Sequence, residues 1–244
     1  MIDEGPAADF GAAMRDHLHE AEQRNAAALD TVAERFVAAV GDGLRVHVTG
    51  TGHSSALVLE AFYRAGGLAC INPITHPGVM PLSGAIASTV IERNADLAQV
   101  LLAQAAPRTG EVAVVFSSSG ANPLPVELAR GLGQAGVWLV AVSSLPHLRA
   151  APARAEVKLD ELADVLLDTG VPAGDAAFAV DGARTAPLSS LTSIYLWNLL
   201  LARVAEQARA GGVDLPIWTS ANVPGGDERN AHLLAQYRLR IPLL

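Results

Sequence analysis

The chain predicts an α/β fold: a three-layer sandwich built on a five-stranded parallel sheet, with extra helices at both ends of the sequence. Three observations carry this. Short apolar runs alternate with amphipathic helical stretches, the pattern of strand–helix units whose sheet is covered on both faces. Half of the 244 residues are hydrophobic while only 5% are aromatic, which suits alanine- and leucine-faced helices packed on a sheet. Two of the strands run straight into tight hydroxyl- and glycine-rich turns, at Gly50 to Ser55 and at Ser117 to Asn122. Right-handed crossovers between five strands give the order 2-1-3-4-5.

The elements follow in turn. Residues 6–40 read as one long helix, since Phe10, Met14, Leu18, Ala21, Leu29, Val32, Phe36 and Val40 recur at three- and four-residue steps between charged positions. Gly41-Asp42-Gly43 ends it. Such a helix carries more apolar face than one sheet edge needs. Unless it packs wholly on its own domain, part of it pairs with a second subunit, and a homodimer is expected. Strand one covers 45–49, helix two 54–66 and strand two 68–72. A long loop follows over 73–88, punctuated by Pro73, Pro77, Gly78 and Pro81, of a length that is often functional. A helix is predicted over 91–105, strand three over 111–116, its helix over 124–135 and strand four over 137–142. Residues 148–163 read as loop with a short helix, 165–167 as strand five, and 176–186 as a hairpin-like excursion around Asp181-Gly182. Helices over 189–209 and 228–237 complete the chain. The expected organisation is one domain over 1–244, with an N-terminal helix to 43, a core over 44–170 and a C-terminal embellishment from 171.

Composition removes several function classes. The net charge is −8 and no basic run is present, so nucleic acid and anionic membranes are not expected partners. The single cysteine, Cys70, excludes an internal disulfide and a cysteine-cluster zinc site. No apolar run approaches the ~18 residues of a membrane-spanning helix, and the N-terminus lacks a signal-peptide pattern. A cytoplasmic protein is expected. Lys158 is the only lysine and lies among Glu156, Asp160 and Glu161, a surface-like setting ill suited to Schiff-base chemistry.

The second turn is the more informative. Val112 to Phe116 ends in Ser117-Ser118-Ser119-Gly120-Ala121-Asn122, and a helical pattern follows. A turn of this kind presents backbone N–H groups at a helix N-terminus, with up to three hydroxyls beside them, a small anion cradle suited to phosphate. A plain helix cap with spare serines has the same appearance. The first turn, Gly50-Thr51-Gly52-His53-Ser54-Ser55, lacks the third glycine of a dinucleotide fingerprint because Ser55 stands there. Asn72-Pro73 also stands where such a site carries an acid, so no cofactor is expected. In the order 2-1-3-4-5, strands one and three are neighbours at the topological switch point, and ligands bind outside the carboxyl ends of the strands there. Both turns sit at those ends.

Gly50-Thr51-Gly52-His53-Ser54 together with Ser117-Ser118-Ser119-Gly120-Ala121-Asn122 resembles the sugar isomerase (SIS) domain over about residues 40–170. The tail segments Gly170 to Ala176 and Asn222 to Asn230 are similar to a little-characterised bacterial subfamily, which extends the likeness over nearly the whole chain. The resemblance implies a flavodoxin-like strand order and binding of a phosphorylated sugar, followed by aldose–ketose isomerisation or a related elimination. It implies a phosphate shell of Ser117, Ser118, Ser119, Gly120 and Asn122, closed by Gly52, Ser54 and Ser55 from the first turn. The family often has Thr or Ser where Asn122 stands, but an amide still donates.

Moving a proton between adjacent carbons needs a base, usually a carboxylate or histidine. Glu60, on the helix leaving the first turn, and His53, within it, are the chosen catalytic candidates. Against these stand a solvated helix-face charge and a loop-ordering hydrogen bond. His147 after strand four and Asp175 beyond strand five are further candidates, while Asp227 and Glu228 read better as helix-cap acids. No metal is required, since no helical histidine pair has ligand spacing; a scattered site including His76 and His147 stays open. The rival functions are a non-catalytic sensing module with the same cleft and, more weakly, a nucleotide-binding protein.

Overall fold

The computed structural model describes residues 7–244; Pro6, at which the first predicted helix begins, lies outside the described residues. Five strands form one parallel sheet: β1 (Val46–Gly50), β2 (Ile71–Ile74), β3 (Val112–Phe116), β4 (Trp138–Ser143) and β5 (Val165–Asp168), in the order β2-β1-β3-β4-β5. This is the predicted order. The flanking helices are α1 (Ala7–Gly41), α2 (Ser55–Ala61), α3 (Ala85–Ile91), α4 (Leu97–Ala105), α5 (Pro123–Gln134), α6 (Leu145–Ala150), α7 (Ser189–Gly211) and α8 (Gly226–Tyr237).

Strand side chains alternate between faces with a period of two, and that divides the core into two layers. Val46, Val48, Val112, Val114, Phe116, Val140 and Val142 pack towards α1, α2 and α7. Ala113, Val115, Leu139 and Ala141 pack towards α4 and α5. The apolar surplus of α1 is largely taken up inside the subunit. Leu29, Val32 and Phe36 are fully buried, and Trp197 of α7 meets both Phe36 and Phe116 edge-on, at centroid distances of 6.2 and 6.0 Å. Burying a side chain the size of Phe36 stabilises by roughly 1.5–3 kcal/mol.

Three predicted boundaries move, each for a tertiary reason. Helix two stops at Ala61 rather than 66: Phe62 turns extended and Tyr63 takes φ +46°, its ring edge-on to Trp218 at 5.0 Å. Residues 66–69 then pair with the tail, through Gly66 N–H to the Trp218 carbonyl and Ala69 N–H to the Pro216 carbonyl, so β2 starts later. It runs on through Pro73, which an edge strand tolerates because the missing N–H can face away from the sheet. The helix predicted over 91–105 begins only at Leu97, as α4. Before it, a turn in which Asn94 Oδ1 accepts from Asp96 N–H at 3.0 Å separates α4 from α3, which begins within the end of the predicted 73–88 loop. The expected hairpin is present as β6 (Ala176–Val180) and β7 (Ala183–Pro187), turned by Asp181 and Gly182 at φ +42° and +82°. Two positive φ angles give the turn whose twist matches the strands.

A buried polar network closes the amino-terminal end of the sheet. Arg45 Nε donates to Glu111 Oε1 at 2.7 Å, and its other nitrogens reach the carbonyls of Ala105, Ala106 and Arg240. His47 Nε2 lies 2.8 Å from the other Glu111 oxygen. Asn72 Nδ2 donates to His47 Nδ1 at 2.9 Å, which assigns the imidazole proton to Nε2. Burial pushes the Glu111 carboxyl up, but bonds from His47 and Arg45 outweigh it and hold the group at about 2. Burial also holds His47 below the usual imidazole range, against the pull of Glu111.

Candidate functional site

Each turn folds as it does because of one glycine. A side chain at Gly50 would put Cβ 2.6 Å from the Ser54 carbonyl oxygen, so the chain can double back there only without one. Gly52 to Ser54 then form a single 3-10 turn leading into α2. In the second turn Gly120 has φ +57°, and a Cβ there would lie 2.4 Å from Leu148 Cδ2. Its N–H donates back to the Ser117 carbonyl and hydroxyl, each at 3.2 Å.

The donors differ from those the sequence suggests. Pro123 and Pro125 have no N–H, and the N–H of Leu124 goes to the Glu92 carbonyl at 3.1 Å, so the first turn of α5 offers no free amide. The free donors of the turn are those of the loop instead: the Ser118 and Ser119 N–H groups, which meet no acceptor among the described residues, and the serine hydroxyls.

Both turns open on one cleft of about 660 Å³ at the carboxyl ends of the strands. Gly52, His53, Ser54, Ser117, Ser118, Ser119 and Asn122 line it, as do His147 and Asp175. Gly120 and Ser55 do not; Gly120 packs beneath the turn, and the buried Ser55 hydroxyl is turned back to the Gly50 carbonyl at 3.3 Å. Glu60 lies outside the lining and is ion-paired with Arg64, four residues on and past the end of α2. His76 is also outside it and accepts from Gly78 N–H at 3.0 Å. Asp227 and Glu228 occupy the first turn of α8. Lys158 donates to the carbonyls of Leu148 and Ala151 and so caps α6. Among the described residues no three His, Cys, Asp or Glu side chains are grouped to hold a metal ion.

Asp175 enters the cleft wall with its oxygens engaged. Oδ1 accepts from the N–H groups of Leu188 and Ser189 at 3.0 and 2.7 Å, and Oδ2 accepts from the Ser189 hydroxyl at 2.8 Å. It caps α7 across the hairpin. The Nδ1 atom of His147 is buried without a partner among the described residues.

Two lining residues were not singled out from the sequence. Glu92, just past α3, holds one carboxylate oxygen 3.1 Å from the Thr51 hydroxyl, which donates to it. Arg154 donates from Nη1 to Asn122 Oδ1 at 2.8 Å. The signal for Glu92 was its place directly after the long Pro- and Gly-rich loop; Arg154 had none, being one arginine in a polar segment. The cleft thus holds a serine-rich turn, the carboxylates of Glu92 and Asp175, two imidazoles and one guanidinium.

Fold and cleft together define an α/β protein with a serine-rich cleft at the switch point between β1 and β3. The chain belongs to the SIS domain family, whose model matches residues 9–144. It is 40% identical over 214 residues to a UPF0309 protein of Brucella anthropi, covering 87% of this chain and 88% of the relative. A UPF0309 protein of Listeria innocua is 36% identical over 207 residues, 83% of each chain. The fold is shared with phosphoheptose isomerase GmhA from Neisseria gonorrhoeae, with a TM-score of 0.56 at 20% identity over 82% of this chain and 97% of that one. It is shared also with the sugar isomerase domain of an RpiR transcription factor from Sphaerobacter thermophilus, with a TM-score of 0.51 at 15% identity over 95% and 97%. Among the described residues no helix is long and apolar enough to cross a membrane.

Proposed function

We propose that this protein binds a phosphorylated sugar or sugar derivative and moves a proton on it, in an aldose–ketose isomerisation or a related elimination. The observation that carries the reading is the meeting of the Ser117–Asn122 turn with Glu92 in one cleft. The loop amides and hydroxyls of Ser118 and Ser119 take the phosphate, with Asn122 and Ser54 beside them. Glu92 acts as the base, oriented by Thr51, and His53 or His147 polarises a sugar oxygen. Membership of the SIS family and the fold shared with phosphoheptose isomerase support this reading.

The active form is proposed to be a cytoplasmic homodimer. Leu82, Ile86 and Val90 are 100%, 84% and 64% exposed and follow one another at four-residue steps, while Pro81, Ala85, Ser88 and Thr89 of the same segment line the cleft. An apolar stripe of this kind beside a polar cleft is a surface for a second subunit to cover.

The reading is tested by a thermal-shift screen of sugar phosphates against their unphosphorylated counterparts. A ligand at about 100 times its Kd adds roughly 2.7 kcal/mol, on the order of 5–10 °C for a chain of this size. Shifts confined to phosphorylated sugars are expected. A shift from a nucleotide and none from any phosphosugar would remove the reading.

A further inference from the structure

We infer that Arg154 is the charged ligand of the phosphate, a role resting on the phosphosugar reading above. The cleft wall carries two carboxylates, Glu92 and Asp175, and Arg154 is the one arginine or lysine among the described residues that line it. In a protein of net charge −8, amides and hydroxyls alone would hold a dianion against an unfavourable field. Among the described residues Arg24, Arg45, Arg64, Arg130 and Arg203 are ion-paired, with Asp168, Glu111, Glu60, Glu127 and Asp30 respectively. Arg154 makes no ion pair among the described residues and spends a single nitrogen on Asn122 Oδ1.

That one bond fixes two things. It turns the Asn122 amide so that its NH2 is left to donate, and it brings the guanidinium to the edge of the serine turn. The remaining N–H donors match a phosphate's paired oxygens. The loop that presents Arg154 is held at both ends. Lys158 clasps the carbonyls of Leu148 and Ala151, and Leu159 N–H bonds the Gly120 carbonyl at 3.0 Å. Arg154 is therefore delivered to the cradle by the same backbone that supports Gly120.

The test is titration of the 244-residue chain with inorganic phosphate at two fixed ionic strengths, followed by calorimetry or thermal shift. Wild-type, Arg154→Ala, Arg154→Lys and Ser119→Ala proteins are compared. Arg154→Ala is expected to raise the phosphate Kd at least tenfold and to flatten its salt dependence. Arg154→Lys recovers part of both, and the unliganded melting temperature stays unchanged because the side chain is exposed. Phosphate binding that Ser119→Ala weakens and Arg154→Ala leaves intact would overturn the role of Arg154 while the cradle stands. Wild-type protein that binds neither phosphate nor any phosphosugar would overturn the cradle and this inference together.

Discussion

Glu92 and Glu60 show what a single side chain's surroundings decide. Both follow the first turn in sequence, and both are half-buried. Glu60 is committed to Arg64, just beyond the end of its own helix, whereas Glu92 reaches across 41 residues to the Thr51 hydroxyl and lines the cleft. A base must lie within hydrogen-bond reach of the proton it takes, so geometry favours Glu92. Glu92→Gln keeps the shape and the bond from Thr51 but cannot accept a proton. Turnover of the phosphosugar should fall by about 10²–10⁴-fold, the usual worth of a positioned base, with the Kd changed only a few-fold. Steady-state kinetics beside Glu60→Gln decides between the two. Full activity in Glu92→Gln, with loss in Glu60→Gln, would return the role to Glu60.

At the scale of elements, strand-to-turn-to-helix units carried most of what the sequence revealed. Valine runs ending in serine or glycine located β1 and β3 to within one or two residues, and chain order placed their turns together. What stayed hidden came from partners distant in sequence. Trp218 decides where α2 ends, and no local pattern near Ala61 announces it. The loop donors were misassigned to the helix because Pro123 and Pro125 act by lacking a group rather than supplying one. Arg154 was illegible because its meaning depends on Asn122, 32 residues earlier. The α3 stripe was hidden inside a loop assignment, and it carries the dimer proposal instead of α1, whose face α7 covers. Ile86→Glu should convert the dimer to monomer in sedimentation at micromolar concentration. A wild-type chain that sediments as a monomer would end the proposal.

Across the whole molecule, the cleft and the buried polar network occupy opposite ends of the sheet. The cleft lies at the carboxyl ends; the Arg45–Glu111–His47 network lies at the amino ends and ties β1, β3, the end of α4 and the tail carbonyl of Arg240. Its protonation sets an acid limit. Glu111 is at about 2 when folded against an ordinary 4.5, so its contribution is present above pH 4.5 and lost as pH falls towards 2. That contribution is on the order of 3 kcal/mol. His47, and His17 through its own burial and nearby Arg24, are held below 6.5 when folded. Their neutral forms favour the fold, a benefit complete above pH 6.5 and eroded as pH falls through and below it. Urea midpoints should therefore drop from pH 7.5 to 5.5 and again to 4, with the first step smaller in His47→Gln. A midpoint that rises on acidification would contradict this assignment.

The phosphate cradle itself is tested most directly by calorimetric titration of one phosphosugar and its unphosphorylated counterpart into wild-type and Ser119→Ala protein. Losing a hydrogen bond to a charged group costs about 1.5–3 kcal/mol, roughly a 10- to 100-fold loss of affinity. The expected result is that the phosphosugar binds wild type far more tightly than the free sugar, and that Ser119→Ala narrows the gap by that factor. Equal affinity for both sugars, or a gap that Ser119→Ala leaves untouched, would contradict the assignment of the Ser117–Asn122 turn to phosphate.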